Sequence, residues 1–236
     1  ADYAVQSSGL FQSQKEDSYQ KGNNMKIIAD SGLDFNQEAF EGKSPIVRVP
    51  LKALIDGEQF VDEGSTISDF LQEKNFKTEK VQTACPSPMD YYNAIKGADD
   101  AFVVTLSSNL SGSYQAAKNA QDMIIEETPS ANVHVFDSKS APSGENLIVV
   151  KIQELIGQNL SFDTIVEKTT EYISGLKTIF FLENLDLMTS SGRVSIAQKF
   201  LSKTLKLFPI LEDNGNGEIK MHSFARGAGN ALDKLI

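Results

Sequence analysis

Cysteine and histidine are scarce in this 236-residue sequence: Cys85 is the only cysteine, and His134 and His222 are the only histidines. One thiol excludes an internal disulfide framework and any multi-cysteine metal site. Two imidazoles leave classical zinc chemistry short of ligands. Basic residues are outnumbered, 22 Lys and Arg against 32 Asp and Glu, for a formal net charge of -10. That balance repels phosphate backbones and no basic patch offsets it, so a nucleic-acid partner is not expected. No apolar run approaches the roughly 18 residues that span a bilayer, which argues against stable membrane insertion. The first 24 residues are polar and lack the basic-then-apolar order of a signal peptide. They read as a flexible leader before a natural-looking start at Met25, in a soluble, anionic, cytoplasmic protein.

Apolar residues make up 40% of the chain, enough for one large or two modest cores. The stretch AFVVTLSSNLSGSYQAAKNA, Ala101 to Ala120, shows how they are arranged. Ala101 to Leu106 has strand character, and Tyr114, Ala117, Ala120 and Ile124 share one face of a helix. The junction SSNLSGS aims hydroxyls and the free N–H groups of a first helical turn at one point, where an anion is expected to sit. The pattern by itself leaves open whether the loop attacks that anion, transfers it or holds it.

Runs of this kind recur five times: MKII into ADSG, KVQ into TACPSP, AFVVTL into SSNLSGS, VHVF into DSKSAPSG, and TIFFLEN into LDLMTSSGRVS. Helices are expected over Met89–Lys96, Ser113–Ile125, Glu145–Ile156 and Ser195–Leu205. Strands alternating with helices are most simply parallel, which gathers the connecting loops at one sheet edge, where open α/β sheets bind ligands. Asp56-Gly57 predicts a tight hairpin, and Thr66 is a cap for a helix through Lys74. A long helix follows Ser161, with Phe162, Ile165, Val166, Thr169, Tyr172 and Ile173 on one face. KLFPILED and EIKMHSFA, joined by NGNG, predict an antiparallel pair and a second α/β domain from about Leu176.

The chemistry these loops can perform is limited. A serine hydrolase needs a histidine base beside its nucleophile. There is no G-x-S-x-G elbow, and both histidines fall inside strands. A Walker loop and a G-x-G-x-x-G after the first strand are also missing. What remains is capture of a small anion by hydroxyls. Structural readings compete at each position: Ser111 as a helix N-cap, Thr83 as a strand end, Cys85 as a small buried side chain, Asp30 and Asp137 as turn caps, and Arg193 as a solvated loop cation. Pro88 fits the first position of a helix capped by Ser87.

ADSGLD, TACPS, LSSNLSGSYQAA, FDSKSAPSG, LENLDLMTSSGRVS and FPILEDNGNGEI followed by ARG occur in the order found in the DegV family, which the chain resembles from Met25 to Ile236. The resemblance implies a two-domain DegV-like α/β fold: a three-layer, parallel-sheet domain over 25–175 and a mixed-sheet α/β domain over 176–236. It also implies a long-chain fatty acid buried between the domains and no cofactor. Several members serve as the fatty-acid-binding subunit of a bacterial fatty acid kinase, so the implied partner is the kinase catalytic subunit, which converts the bound carboxylate to an acyl phosphate. Thr83 matches the carboxylate-binding threonine of T-S-Q-P-S, Ser111 the serine of the L-S-G loop, and Arg193 the arginine of G-G-R-I-S. With Ser31, Ser108 and Gly112 these form the implied ligand site, and Arg226 falls in the segment implicated in kinase docking.

The chain departs from the pattern in three places. Ala84 and Cys85 follow Thr83 where Ser and Gln are usual, and AGNA follows Arg226-Gly227 in place of a basic cluster. Members also continue past Ile236 with a strand and a histidine near the carboxylate, so the second domain is expected to be incomplete. The reading is a carrier without turnover of its own. Its rivals are a serine-dependent lipid or ester hydrolase using Ser111 and a receptor for a small polar anion.

Overall fold

The computed structural model describes residues 24–33, 44, 46–55, 57–63, 81–182, 185, 188, 189, 191–194 and 207–235. The expected helices over Thr66–Lys74 and Ser195–Leu205, and the leader through residue 23, lie outside the described residues.

Four strands form a parallel sheet: β1 (Met25–Asp30), β2 (Ile46–Val49), β6 (Asp100–Thr105) and β7 (Asn132–Asp137), in the order β2-β1-β6-β7. Every residue of β6 is buried, as expected for a strand covered on both faces. Side-chain alternation divides the sheet between two cores. Ile28, Val103 and Val135 face α1 (Pro88–Ile95) and α2 (Ser113–Glu127) through Tyr91, Ile95, Ala117 and Ala120. Ile27, Phe102 and Phe136 face α3 (Pro142–Gly157) and α4 (Phe162–Gly175) through Ile148, Ile152 and Ile165. The result is three layers, helices on either side of a parallel sheet.

Local sequence explains where these helices begin. Ser87 and Asp90 form a reciprocal capping box at α1, with Pro88 in the first turn. The Ser161 hydroxyl accepts the Thr164 N–H at the start of α4.

Two of the five expected parallel strands lie elsewhere. β5 (Val81–Ala84) pairs antiparallel with β3 (Lys52–Ile55), which pairs with β4 (Glu58–Val61) across the hairpin at Gly57. β8 (Ile179–Phe181) joins β9 (Leu207–Asp213) and β10 (Ile219–Arg226) in an antiparallel sheet of order β10-β9-β8. VQTA carries exposed polar residues, and Ile179 is 40% exposed. Neither segment is covered on both faces as β6 is, although IFF is apolar in sequence. The fourth parallel strand is instead IVRV, β2.

The second sheet is tied to the first through a turn. The Ser107 hydroxyl, in the loop after β6, donates to the Gly217 carbonyl at 2.7 Å, and Asn109 Nδ2 donates to the Asn216 carbonyl at 2.9 Å. Leu110 of the same loop packs with Leu185, Val194, Leu211 and Ile219. The short helix α5 (Ala228–Asp233) closes the described chain through Ala231, which packs on Ile210 and Ala225.

Candidate functional site

The loop after β6 is held by its own backbone. Leu106 N–H donates to Asp30 Oδ2 at 3.1 Å, Ser107 N–H to the Ser140 carbonyl at 3.0 Å, and Ser111 N–H to the Ser107 carbonyl at 3.0 Å. Gly112 is the N-cap of α2 and contributes no side-chain bond. The Ser111 hydroxyl accepts the Ser113 N–H at 3.2 Å and lies 2.9 Å from Ser113 Oγ. Its oxygen is thereby fixed.

Thr83, at the end of β5, is brought to the same place by Arg193. Arg193 Nε donates to the Leu110 carbonyl at 2.8 Å, and its Nη2 donates to Thr83 Oγ1 at 3.1 Å. The guanidinium therefore joins a strand of one sheet to the loop of another, a use of its forked donors that a lysine cannot copy. Because Thr83 Oγ1 accepts from Arg193, its own proton remains to be given to another acceptor. Arg193 is a structural clasp, not a solvated cation.

Thr83, Ser111, Gly112 and Arg193 all border one cavity of about 1040 Å³. This is at the large end of the roughly 300–1,000 Å³ usual for small-molecule sites. It opens at the carboxyl ends of β2, β6 and β7, where Leu51, Leu106 and Ser140 lie on its wall. Most of the wall is apolar, with Leu147, Leu176, Ile179, Phe180, Phe181 and Met188. It is built from loops of the parallel sheet and from β8 of the antiparallel sheet, and Ser140, Ser143, Lys177 and Thr178 are set among the apolar side chains.

Other sequence candidates fall outside it. The Ser31 hydroxyl accepts the Leu51 N–H at 2.9 Å, and the Ser31 N–H donates to the Val49 carbonyl. Ser108 donates through both N–H and Oγ to Asp137, at 3.0 and 2.6 Å. Neither residue is on the cavity wall, because backbone and carboxylate partners turn their hydroxyls elsewhere. Arg226 ends β10 on the exposed surface. His134 lies against Phe136 on β7, where burial lowers its pKa, and His222 Nδ1 lies 3.0 Å from Glu212 Oε2. No histidine is within the described lining of the cavity, so Ser111 has no imidazole base there.

Several wall residues escaped the sequence reading. Ser140 Oγ and Thr178 Oγ1 lie 2.6 Å apart across the two halves of the cavity, and Lys177 borders it beside them. Cys85, which the sequence offered as a small buried side chain, also lines the cavity, and a Cβ on Gly112 would stand 2.8 Å from its sulfur. No local signal pairs residues this distant in sequence. Among the described residues, no group of three or more His, Cys, Asp and Glu could hold a metal ion.

Behind the hydroxyls lie two buried acids. Asp30 is wholly buried and accepts from the Gly32 and Leu106 N–H groups; burial raises its pKa, and these bonds oppose the rise. Glu145, near the start of α3, is also wholly buried, beside the Asp30 backbone. Burial pushes its pKa well up, and the neighbouring Asp30 adds to the rise.

The family profile described as "Uncharacterised protein, DegV family" matches residues 24–236. The chain belongs to the DegV family. A DegV domain-containing protein of Streptococcus gordonii is 40% identical over 172 residues, 72% of this chain and 61% of that protein. One from Streptococcus pneumoniae R6 is 36% identical over 217 residues, 89% of this chain and 77% of that one. Among solved DegV structures, the Ruminococcus gnavus protein with vaccenic acid has a TM-score of 0.81 at 34% identity, covering 89% of this chain and 76% of its own. The Streptococcus pneumoniae Fatty Acid Kinase (Fak) B3 protein loaded with linoleic acid has a TM-score of 0.80 at 32% identity, covering 90% and 76%. This chain thus spans about three fifths of the first of these DegV relatives and about three quarters of the others.

Proposed function

We propose that this DegV protein binds one long-chain fatty acid, carboxylate at Thr83 and Ser111 and tail along the apolar wall, and presents the carboxylate to a partner kinase. The observation that carries the reading is the cavity itself: a large, mostly apolar wall that includes Leu147, Phe180 and Phe181 and also carries the Thr83 and Ser111 hydroxyls. Buried methylenes gain roughly 0.8 kcal/mol each on leaving water, which favours an acyl tail over a polar ligand. The fatty acids in the Ruminococcus gnavus and Fak B3 structures support the same occupant. In this reading the protein is a carrier of two domains, 25–175 and 176–236, that meet at the cavity, and it works in the cytoplasm without a cofactor.

The proposed chemistry needs little from the chain. A carboxylate away from water stays ionised where donors replace its hydration, and Thr83 and Ser111 are such donors. Hydroxyls leave an oxygen of the acid available to attack a phosphoryl group supplied by the kinase, whereas a tight lysine pair would damp it. Ser31 and Ser108 brace the surrounding turns, and Gly112 gives the head group room beside Cys85.

Mass spectrometry of the denatured, purified protein tests the ligand class. The expected result is a long-chain fatty acid retained from the expression host; a short polar anion in its place would overturn the reading. Arg226 tests the partner. Arg226→Ala is expected to slow kinase-dependent phosphorylation of the bound acid at least several-fold while leaving acid binding unchanged. Equal rates would remove Arg226 from the docking surface.

A further inference from the structure

The turn that docks the antiparallel sheet carries a reaction that the proposed carrier role does not use. NGNG, Asn214 to Gly217, contains two Asn-Gly steps. At such a step the glycine nitrogen is able to attack the asparagine side-chain carbon Cγ, because no glycine Cβ shields it. Whether it does depends on what already holds the two groups, and the structure treats these identical dipeptides differently.

Both groups of the first step are held. Asn214 Oδ1 accepts the Asn216 N–H at 2.9 Å and the Glu218 N–H at 3.3 Å, and Asn214 Nδ2 donates to Glu218 Oε2 at 2.9 Å. The Gly215 N–H donates to Asp213 Oδ1 at 2.7 Å. A carboxylate there opposes the loss of the amide proton that attack requires, since like charges repel. The second step is open. Asn216 is exposed, and although its N–H and carbonyl are used, its side-chain amide bonds to none of the described residues. The Gly217 N–H likewise donates to none of them; only its carbonyl is held, by Ser107. Electrophile and nucleophile are both unengaged at one step and both engaged at the other.

We propose that Asn216 is a deamidation site, and that its conversion to isoaspartate releases the turn from the anion loop, so that the protein loses its grip on a bound acid as it ages. The last step rests on the fatty-acid reading above. The Gly217 nitrogen gives its proton to hydroxide and bonds to Asn216 Cγ; the Cγ–Nδ2 bond breaks and ammonia leaves. The cyclic imide so formed takes up one water. Opening at Cγ gives aspartate. Opening at the main-chain carbonyl carbon gives isoaspartate, in which the chain runs through Cβ and Cγ and the former carbonyl becomes a carboxylate.

Isoaspartate strikes both ties between turn and loop. The carbonyl turned into a carboxylate is the one that accepts Asn109 Nδ2, and the inserted methylene displaces the next carbonyl, which accepts the Ser107 hydroxyl. The fit has no slack to absorb this, since a Cβ on Gly217 would already stand 2.7 Å from Lys139 Cα. The turn follows directly on β9, which holds β8, and β8 supplies Ile179, Phe180 and Phe181 to the cavity wall. Loosening the turn therefore frees that wall from the loop carrying Ser111.

Peptide mapping by mass spectrometry, with isoaspartyl methyltransferase labelling, tests the site on protein kept warm but folded at mildly alkaline pH. Asn216 is expected to be modified at least several-fold faster than Asn214, at a rate rising with pH, and unfolding the chain in urea is expected to erase the difference. Equal rates in the folded protein, or Asn214 reacting first, would overturn the assignment. Aged protein is expected to melt lower and to release a fluorescent fatty acid several-fold faster than fresh protein, whereas Asn216→Ser aged alongside shows neither the label nor the change. Label at Asn216 with melting temperature and release both unchanged would overturn the undocking step. Fresh protein that binds no fatty acid would overturn the carrier reading instead, and the label and the melting temperature would still decide the rest.

Discussion

Replacing Thr83 and Ser111 together by alanine is expected to weaken fatty-acid binding by about two to four orders of magnitude while the fold survives. A hydrogen bond to a charged acceptor contributes roughly 1.5–3 kcal/mol, so two such losses total about 3–6 kcal/mol if they add. At about 1.4 kcal/mol per decade this gives the stated range. Folding is spared because Thr83 is exposed on the cavity wall and Ser111 is only partly buried. Each single variant is expected to lose about one to two decades. A double variant that binds a fluorescent fatty acid as tightly as the unmutated protein would remove both hydroxyls from the site.

In the proposed reading, a protein of net charge -10 holds an anion through neutral hydroxyls. Its arginine is used indirectly. Arg193 gives one N–H to the Leu110 carbonyl and one to Thr83 Oγ1, and so orients a neutral hydroxyl toward the cavity. Hydroxyls cost less to bury than an unpaired ammonium. Such a site is expected to release a bound anion more readily than a tight ion pair, which suits the proposed carrier role.

The parallel core was legible because AFVV in β6 is an unbroken apolar run flanked by the shorter runs of β1 and β7, and the helices because Ser87, Pro88 and Ser161 mark their starts. Strand partners were less legible. KVQ and TIFFLEN each read as strand before a loop, yet these segments carry exposed residues and pair antiparallel, in sheets that can leave one face to water. Thr83, Ser111, Gly112 and Arg193 were brought to one cavity in spite of that difference, because Arg193 spans two sheets. Ser31 and Ser108 share the sheet edge but not the cavity, since a loop position does not say which amide or carboxylate its hydroxyl will find. The pairing of Ser140 with Thr178 depends on tertiary docking and leaves no local trace.

That docking gives the second large effect, at Gly217. The residue is buried, has φ +82°, and presents its Cα to the loops after β6 and β7. A Cβ there would stand 2.7 Å from Lys139 Cα and would also collide with the Ser107 hydroxyl that holds the Gly217 carbonyl. A serine side chain can rotate away, but a backbone Cα cannot. Gly217→Ala therefore carries a left-handed backbone penalty of about 1–2 kcal/mol and the loss of a buried hydrogen bond, about 1–3 kcal/mol more. The antiparallel sheet would be pushed off the loop that carries Ser111, and the wall formed by Phe180 and Phe181 would move with it. Urea unfolding is expected to show a loss of about 2–5 kcal/mol, the sum of those two penalties, and fatty-acid dissociation is expected to quicken. Gly215 is the control, in the same turn at φ +85° but with nothing within 4 Å of where its Cβ would stand: Gly215→Ala should show the backbone penalty alone. Equal losses in the two variants would mean that the contact between turn and loop adds nothing to stability.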